Sequence, residues 1–129
     1  MLMRLAMSAL VAVLALAGCS NPNDPSSDLL KASAANQTLT ITNTSADPVY
    51  YFVADKEMLA LLDWAVCTDP AQSFCKFVAA GASKRISYSE FLASGSSGSQ
   101  AVVYHWRLIP TTPGKYNYDS LRTLEVDLR

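Results

Sequence analysis

Histidine occurs once in this chain, at His105, cysteine three times and glycine five times among 129 residues. A Ser-His-Asp hydrolase needs a histidine within reach of a nucleophile. His105 is the only candidate, and it is expected on the polar face of a strand. No G-x-S-x-G is present. Gly95-Ser96-Ser97-Gly98 lies in a Gly/Ser-rich stretch that reads as a mobile loop. Zinc needs four ligands, and two of the cysteines with a distant histidine do not make such a set. Nor is there a G-x-G-x-x-G, a Walker-type phosphate loop or the alternate carboxylates of a calcium loop. Asp63, Asp69 and Glu90 are carboxylates with no spacing that pairs two of them for glycoside chemistry. No catalytic residue, metal ligand or cofactor is therefore expected. Charged side chains make up 16% of the chain and no basic run exists, Lys84-Arg85 being the one adjacent pair. The electrostatic footprint of a nucleic-acid binder is missing. Long apolar runs are missing too. The stretch from Leu5 to Leu16 falls short of the roughly 20 residues that span a bilayer.

That short run has a clear position. It follows Arg4 and ends on Leu16-Ala17-Gly18-Cys19. A positive start, a short apolar centre and a small-residue site describe a secretory signal peptide. The ending on Cys19 resembles the lipobox of bacterial lipoproteins. The resemblance implies cleavage before Cys19 and a thioether from its sulfur to diacylglycerol. In a Gram-negative cell it also implies acylation of the freed amine. Two or more acyl chains anchor a protein stably where one does not. Ser20 stands where an aspartate would favour retention at the inner membrane. The expected location is thus the envelope, lipid-anchored, at the outer membrane in a Gram-negative organism.

Cleavage removes 18 of the 129 residues and leaves 111, enough for one domain. Arg4 goes with the signal, so nine basic side chains face 11 acidic ones. Lipid consumes Cys19, leaving Cys67 and Cys75 in an oxidising compartment, where a disulfide is favoured. Closing a loop of about nine residues contributes about 2.6 kcal/mol in the chain-entropy account.

Composition divides the mature chain. Residues 19–37 are polar, with Pro22 and Pro25, and read as the lipidated cysteine and a flexible tether. Residues 38–129 read as one all-β domain. Leu39 and Ile41 alternate with threonines. Val49 to Ala54 is a continuous β-forming run. Ala101 to Ile109 and Leu121 to Leu128 alternate again, and turn residues separate the runs. Residues 56–64 (KEMLALLDW) read as a short helix capped by Asp55, with a strand as the alternative. Pro110 to Asp119 reads as a loop. Six or seven strands in this spacing imply a small antiparallel β-sandwich, immunoglobulin-like in a broad sense.

Aromatics are the remaining signal. Tyr116 and Tyr118, in the Pro/Gly loop, are the candidate binding surface. The expected partners are the membrane, through the anchor, and a protein or glycan of the envelope. The alternative is an inhibitor of a hydrolase such as lysozyme, with the Cys67–Cys75 loop as its plug.

Overall fold

The computed structural model describes residues 28–92 and 100–128. The signal segment, Cys19, Ser20, the tether up to residue 27 and the Gly/Ser stretch 93–99 lie outside the described residues. Among the described residues there are nine strands, all paired antiparallel. They are β1 Leu30–Ala35, β2 Thr38–Asn43, β3 Val49–Asp55, β4 Phe77–Val78, β5 Ser83–Ser87, β6 Gln100–Trp106, β7 Leu108–Thr112, β8 Lys115–Tyr118 and β9 Arg122–Asp127. One sheet has the order β1-β2-β5, the second β4-β3-β6-β9, and β7-β8 form a separate hairpin. Lettering the sandwich strands A, B, C, C′, E, F and G gives sheets A-B-E and C′-C-F-G. That is an immunoglobulin-like arrangement in the broad sense, with the β7–β8 hairpin set into the F–G connection.

The core lies between the sheets. Leu30, Leu39, Ile41 and Ile86 of the first sheet meet Val49, Tyr51, Val103 and Val126 of the second. Leu39 and Ile41 are fully buried, as their alternation with threonine demands. The second sheet is covered on both faces. Tyr50 and Trp106 on its outer side pack with Cys67 and Cys75, flanked by Phe52, Trp64 and Tyr104. A strand buried on both sides reads as a continuous apolar run, which is why Val49 to Ala54 shows no alternation. It also corrects the expectation for His105. Cross-strand pairing puts His105 opposite Tyr51 and Arg122 on the inner face, where it is 0% exposed rather than on a polar surface.

Three further differences have local causes. Strand β1 occupies residues assigned by composition to the tether. Leu29 and Leu30 are buried, and Ala32 and Ala34 pack against the core. Asn36 and Gln37 both have positive φ (53° and 60°) and join Ala35 to Thr38. Two such residues make the tight hairpin turn whose twist suits its strands. The domain thus begins by Leu29, not at Thr38. The segment 56–64 contains a 3₁₀ turn over Lys56–Leu61, started by Asp55, whose carboxylate accepts from the Glu57 amide at 3.0 Å. The expected loop from Pro110 to Asp119 is largely the β7–β8 hairpin. Gly114 (φ 79°) supplies the left-handed turn position, and the register slips at Pro110 and Thr112.

Asn43 ties one end of the sandwich together. It is 1% exposed. Its amide donates to the carbonyls of Asp47 (2.7 Å) and Val78 (2.9 Å), and its oxygen accepts from the Ser45 amide (2.8 Å) and hydroxyl (2.7 Å). Asn43→Ala should cost about 3 kcal/mol, since several of these groups lose their partner out of water. Urea unfolding checks this; a loss under about 1 kcal/mol would mean that water replaces the amide.

Candidate functional site

Two regions bring the chemistry-bearing residues together. The first is the outer face of the second sheet. Trp64 stacks on Phe52 (centroids 4.5 Å apart, planes 16°) and lies 4.7 Å from the Tyr104 ring. Its indole is 6.3 Å from that of Trp106, whose Nε1 donates to the Cys67 carbonyl at 2.9 Å. This aromatic floor supports the disulfide. Cys67 and Cys75 are bridged, with Cα atoms 5.6 Å apart, a separation usual for a disulfide. The loop between them is braced from within. The Asp69 carboxylate accepts from the Ala71 amide (3.0 Å) and the Gln72 side chain (3.2 Å), and the Cys75 amide donates to the Gln72 carbonyl (3.0 Å). Phe74 stands out from this rigid loop, 70% exposed.

The hairpin lies beside the loop. Tyr116, Lys115 and Gly114 share a depression of about 250 Å³ with Thr68 and Asp69. Burial, and then the neighbouring Tyr116, push the Tyr50 phenol above its ordinary pKa. Tyr118 is two residues on and lies on the same hairpin face, opposite Leu108. Tyr116 and Tyr118 are 38% and 42% exposed. Of the residues singled out by sequence, the structure joins Cys67 and Cys75 to each other and sets Tyr116 against their loop. Phe74 was missed, although one large aromatic in the polar run Thr68-Asp69-Pro70-Ala71-Gln72-Ser73 is itself a signal. Cys19 lies outside the described residues.

The second region is a charged cluster at the base of the hairpin. Asp119 accepts from the Arg107 amide (2.9 Å) and Nε (2.8 Å), from Arg122 Nη1 (3.2 Å) and Nη2 (3.0 Å), and from the Ser120 amide (2.7 Å). Burial alone would raise the pKa of this carboxyl, but the bonds from Arg122, Arg107 and Ser120 outweigh burial and hold it well below the usual carboxylate range. His105 sits behind, its Nε2 accepting from the Leu29 amide at 3.3 Å and 3.7 Å from Asp28 Oδ1. Desolvation lowers its pKa from the ordinary value, while the Val103 carbonyl and Asp28 offset part of that. A fully buried imidazole cannot meet a substrate. Its position secures the entry of β1. Among the described residues no group of three or more His, Cys, Asp or Glu side chains could hold a metal ion.

The sign of the pH effect follows. Folded His105 binds its proton more weakly than the unfolded chain, so its contribution is complete above the unfolded pKa of about 6.5 and is lost as pH falls below it. Stability should decline between pH 7 and 5, and His105→Gln should flatten that decline. Urea midpoints at the two pH values test this; an unchanged slope in the variant removes His105 as the cause.

The chain matches no protein-family model, and no curated protein or solved structure is similar to it.

Proposed function

We propose that the protein is a lipid-anchored envelope lipoprotein whose sandwich is a non-enzymatic binding module. One observation carries the binding role. A covalently closed loop and a β-hairpin, both set on an aromatic floor, meet at a shallow depression beside the exposed Tyr116. Tyrosine offers a large rigid surface with a polar tip, which suits protein and glycan partners alike. The burial of the single histidine supports the non-enzymatic reading. The ending Leu16-Ala17-Gly18-Cys19 supports the anchor. Eight residues then separate the lipidated Cys19 from Asp28, a span of about 30 Å fully extended. The partner is thus an envelope protein or glycan close to the membrane surface.

Two measurements test this. Intact mass of the protein from its native host should show a chain starting at diacylated Cys19; a different start or a free thiol there ends the anchor proposal. A photo-crosslinker at Tyr118 should capture a discrete partner in cells, and the capture should fall at least about tenfold in Tyr116→Ala. Unchanged capture would reject this surface.

A second reading rests on Phe74, which projects from the disulfide-closed loop. Such a side chain suits the blocking of a hydrolase cleft. Inhibition of a muralytic enzyme that disappears in Phe74→Ala would favour it; a panel left unaffected would dismiss it.

A further inference from the structure

We propose that the cavity between β3 and β5 binds a small zwitterion with an apolar side chain, of the class of the aliphatic α-amino acids. The site is separate from the hairpin surface and does not depend on the anchor.

The cavity measures about 240 Å³ and lies where β5, an edge strand of the first sheet, faces β3 of the second. Val53, Ile86 and Phe91 give it apolar walls. Drug-sized ligands occupy pockets of about 300–1,000 Å³. This smaller space suits a molecule of leucine's size.

One group in the cavity is not accounted for by the fold. Tyr51 lines it and is 9% exposed. A tyrosine so far buried usually finds a partner for its hydroxyl. The Tyr51 hydroxyl has no hydrogen bond to any described residue. Nor is it sealed from solvent, so a partner reaches it through the cavity.

Both signs of charge stand beside this ring. Burial first, and then the Glu90 carboxylate, push the Tyr51 phenol above its ordinary pKa. Glu90 also lines the cavity. Lys84 is paired with Ile41, which turns it inward. Its Nζ lies 5.8 Å from the Tyr51 ring centre. Lys76 lines the cavity as well, and its carbonyl accepts from the Tyr51 amide at 3.2 Å. Inward lysines on edge strands discourage strand pairing, but that explains neither Glu90 nor the unpaired hydroxyl.

The mixture of charges chooses the ligand. A lone acid would meet the Glu90 carboxylate, and a lone amine would meet two ammonium groups. A molecule with its ammonium and carboxylate on one carbon answers both at the same end of the cavity. Its ammonium meets Glu90. Its carboxylate meets the lysines and accepts from the Tyr51 hydroxyl. Its side chain fills the space between Val53, Ile86 and Phe91. Lys76, Lys84 and Glu90 are exposed, so they contribute selection, while burial of the side chain supplies most of the affinity.

The probe is L-leucine, titrated into the purified protein and followed by NMR. The amides of Val53, Ile86 and Phe91 should shift saturably. Glycine, which has no side chain to bury, should bind at least about tenfold more weakly. 4-Methylpentanoate lacks the amine and 3-methylbutylamine lacks the carboxylate; each should bind at least about fivefold more weakly than leucine. Tyr51→Phe removes only the hydroxyl and should weaken leucine about tenfold. Its melting temperature should match the parent's, because the hydroxyl has no partner to lose. Glu90→Gln retains an oxygen for the Ser87 amide, which Glu90 binds at 2.9 Å. It should weaken leucine and leave 4-methylpentanoate unchanged or tighter. No saturable shift with leucine of either hand or with valine would overturn the proposal. So would equal binding of the acid or the amine, or unchanged binding of leucine by Tyr51→Phe.

Discussion

Asp119→Ala should destabilise the domain by roughly 3–5 kcal/mol, because it leaves a buried guanidinium without its counter-charge. The Arg122 side chain is 2% exposed and that of Asp119 6%. Arg122 keeps only the Ser120 carbonyl at 3.1 Å, and its Nε has no partner even in the native protein. Arg107 loses its Nε bond and a backbone bond in the same substitution. A small domain has about 5–15 kcal/mol in total, so the loss is a large share. The melting temperature should fall by on the order of 15–20 °C. Asp119→Asn should cost less, since an amide oxygen can still accept from the Arg107 N–H. The instructive variant is Asp119→Leu with Arg122→Met. Replacing a buried ion pair by apolar groups is often neutral, so the double change should recover much of the single loss. Should it be as unstable as Asp119→Ala, the bonds to Arg107, and not the charge of Arg122, are what hold the base of the hairpin. Acid should act in the same direction. The native carboxyl titrates below its unfolded value of about 4, so its contribution is present above that pH and disappears as pH falls through the native pKa.

How much of this was legible in the sequence depended on the size of the side chains that carry each element. Strands β2, β3, β6 and β9 are built from leucine, isoleucine, valine and aromatics, and their patterns identify them. Strand β1 turns Ala32 and Ala34 inward between lysine and serine, and side chains so small give almost no periodic signal. Its best marker is Asn36-Gln37, a turn whose type depends on φ and not on composition. The β7–β8 hairpin was hidden by Pro110 and Pro113, which usually end strands but are tolerated at an edge. His105 alternates correctly with Tyr104 and Trp106. The error was to assume that the apolar face of β6 was the only buried one; the segment from Leu62 to Lys76 covers that face, and the other sheet covers His105. The site divides in the same way. Cys67 and Cys75 are legible because two cysteines at so short a spacing have few outcomes. The cluster of Arg107, Asp119 and Arg122 was not, because it is assembled by a hairpin the sequence did not disclose.

Trp106→Ala should be the most damaging single change to the outer face, at roughly 3–5 kcal/mol for the cavity and about 1 kcal/mol more for the Cys67 carbonyl it leaves unpaired. Trp106 is 2% exposed and packs with both halves of the disulfide. Trp106→Phe separates the two contributions: it keeps most of the bulk, forfeits the 2.9 Å bond and should cost about 1–2 kcal/mol. The functional consequence is local as well as global. If Trp106 is the pedestal of the Cys67–Cys75 loop, the phenylalanine variant, still folded, should expose the bridge to reductant. Its reduction by dithiothreitol under native conditions should be several-fold faster than in the parent protein. The partner captured from Tyr118 should weaken in parallel, because the loop forms one wall of the depression at Tyr116. Faster reduction with unchanged capture would place the partner on the hairpin alone. Unchanged reduction would show that Trp64 and Tyr50 hold the loop without Trp106, and the aromatic floor would then be core packing and no part of the binding site.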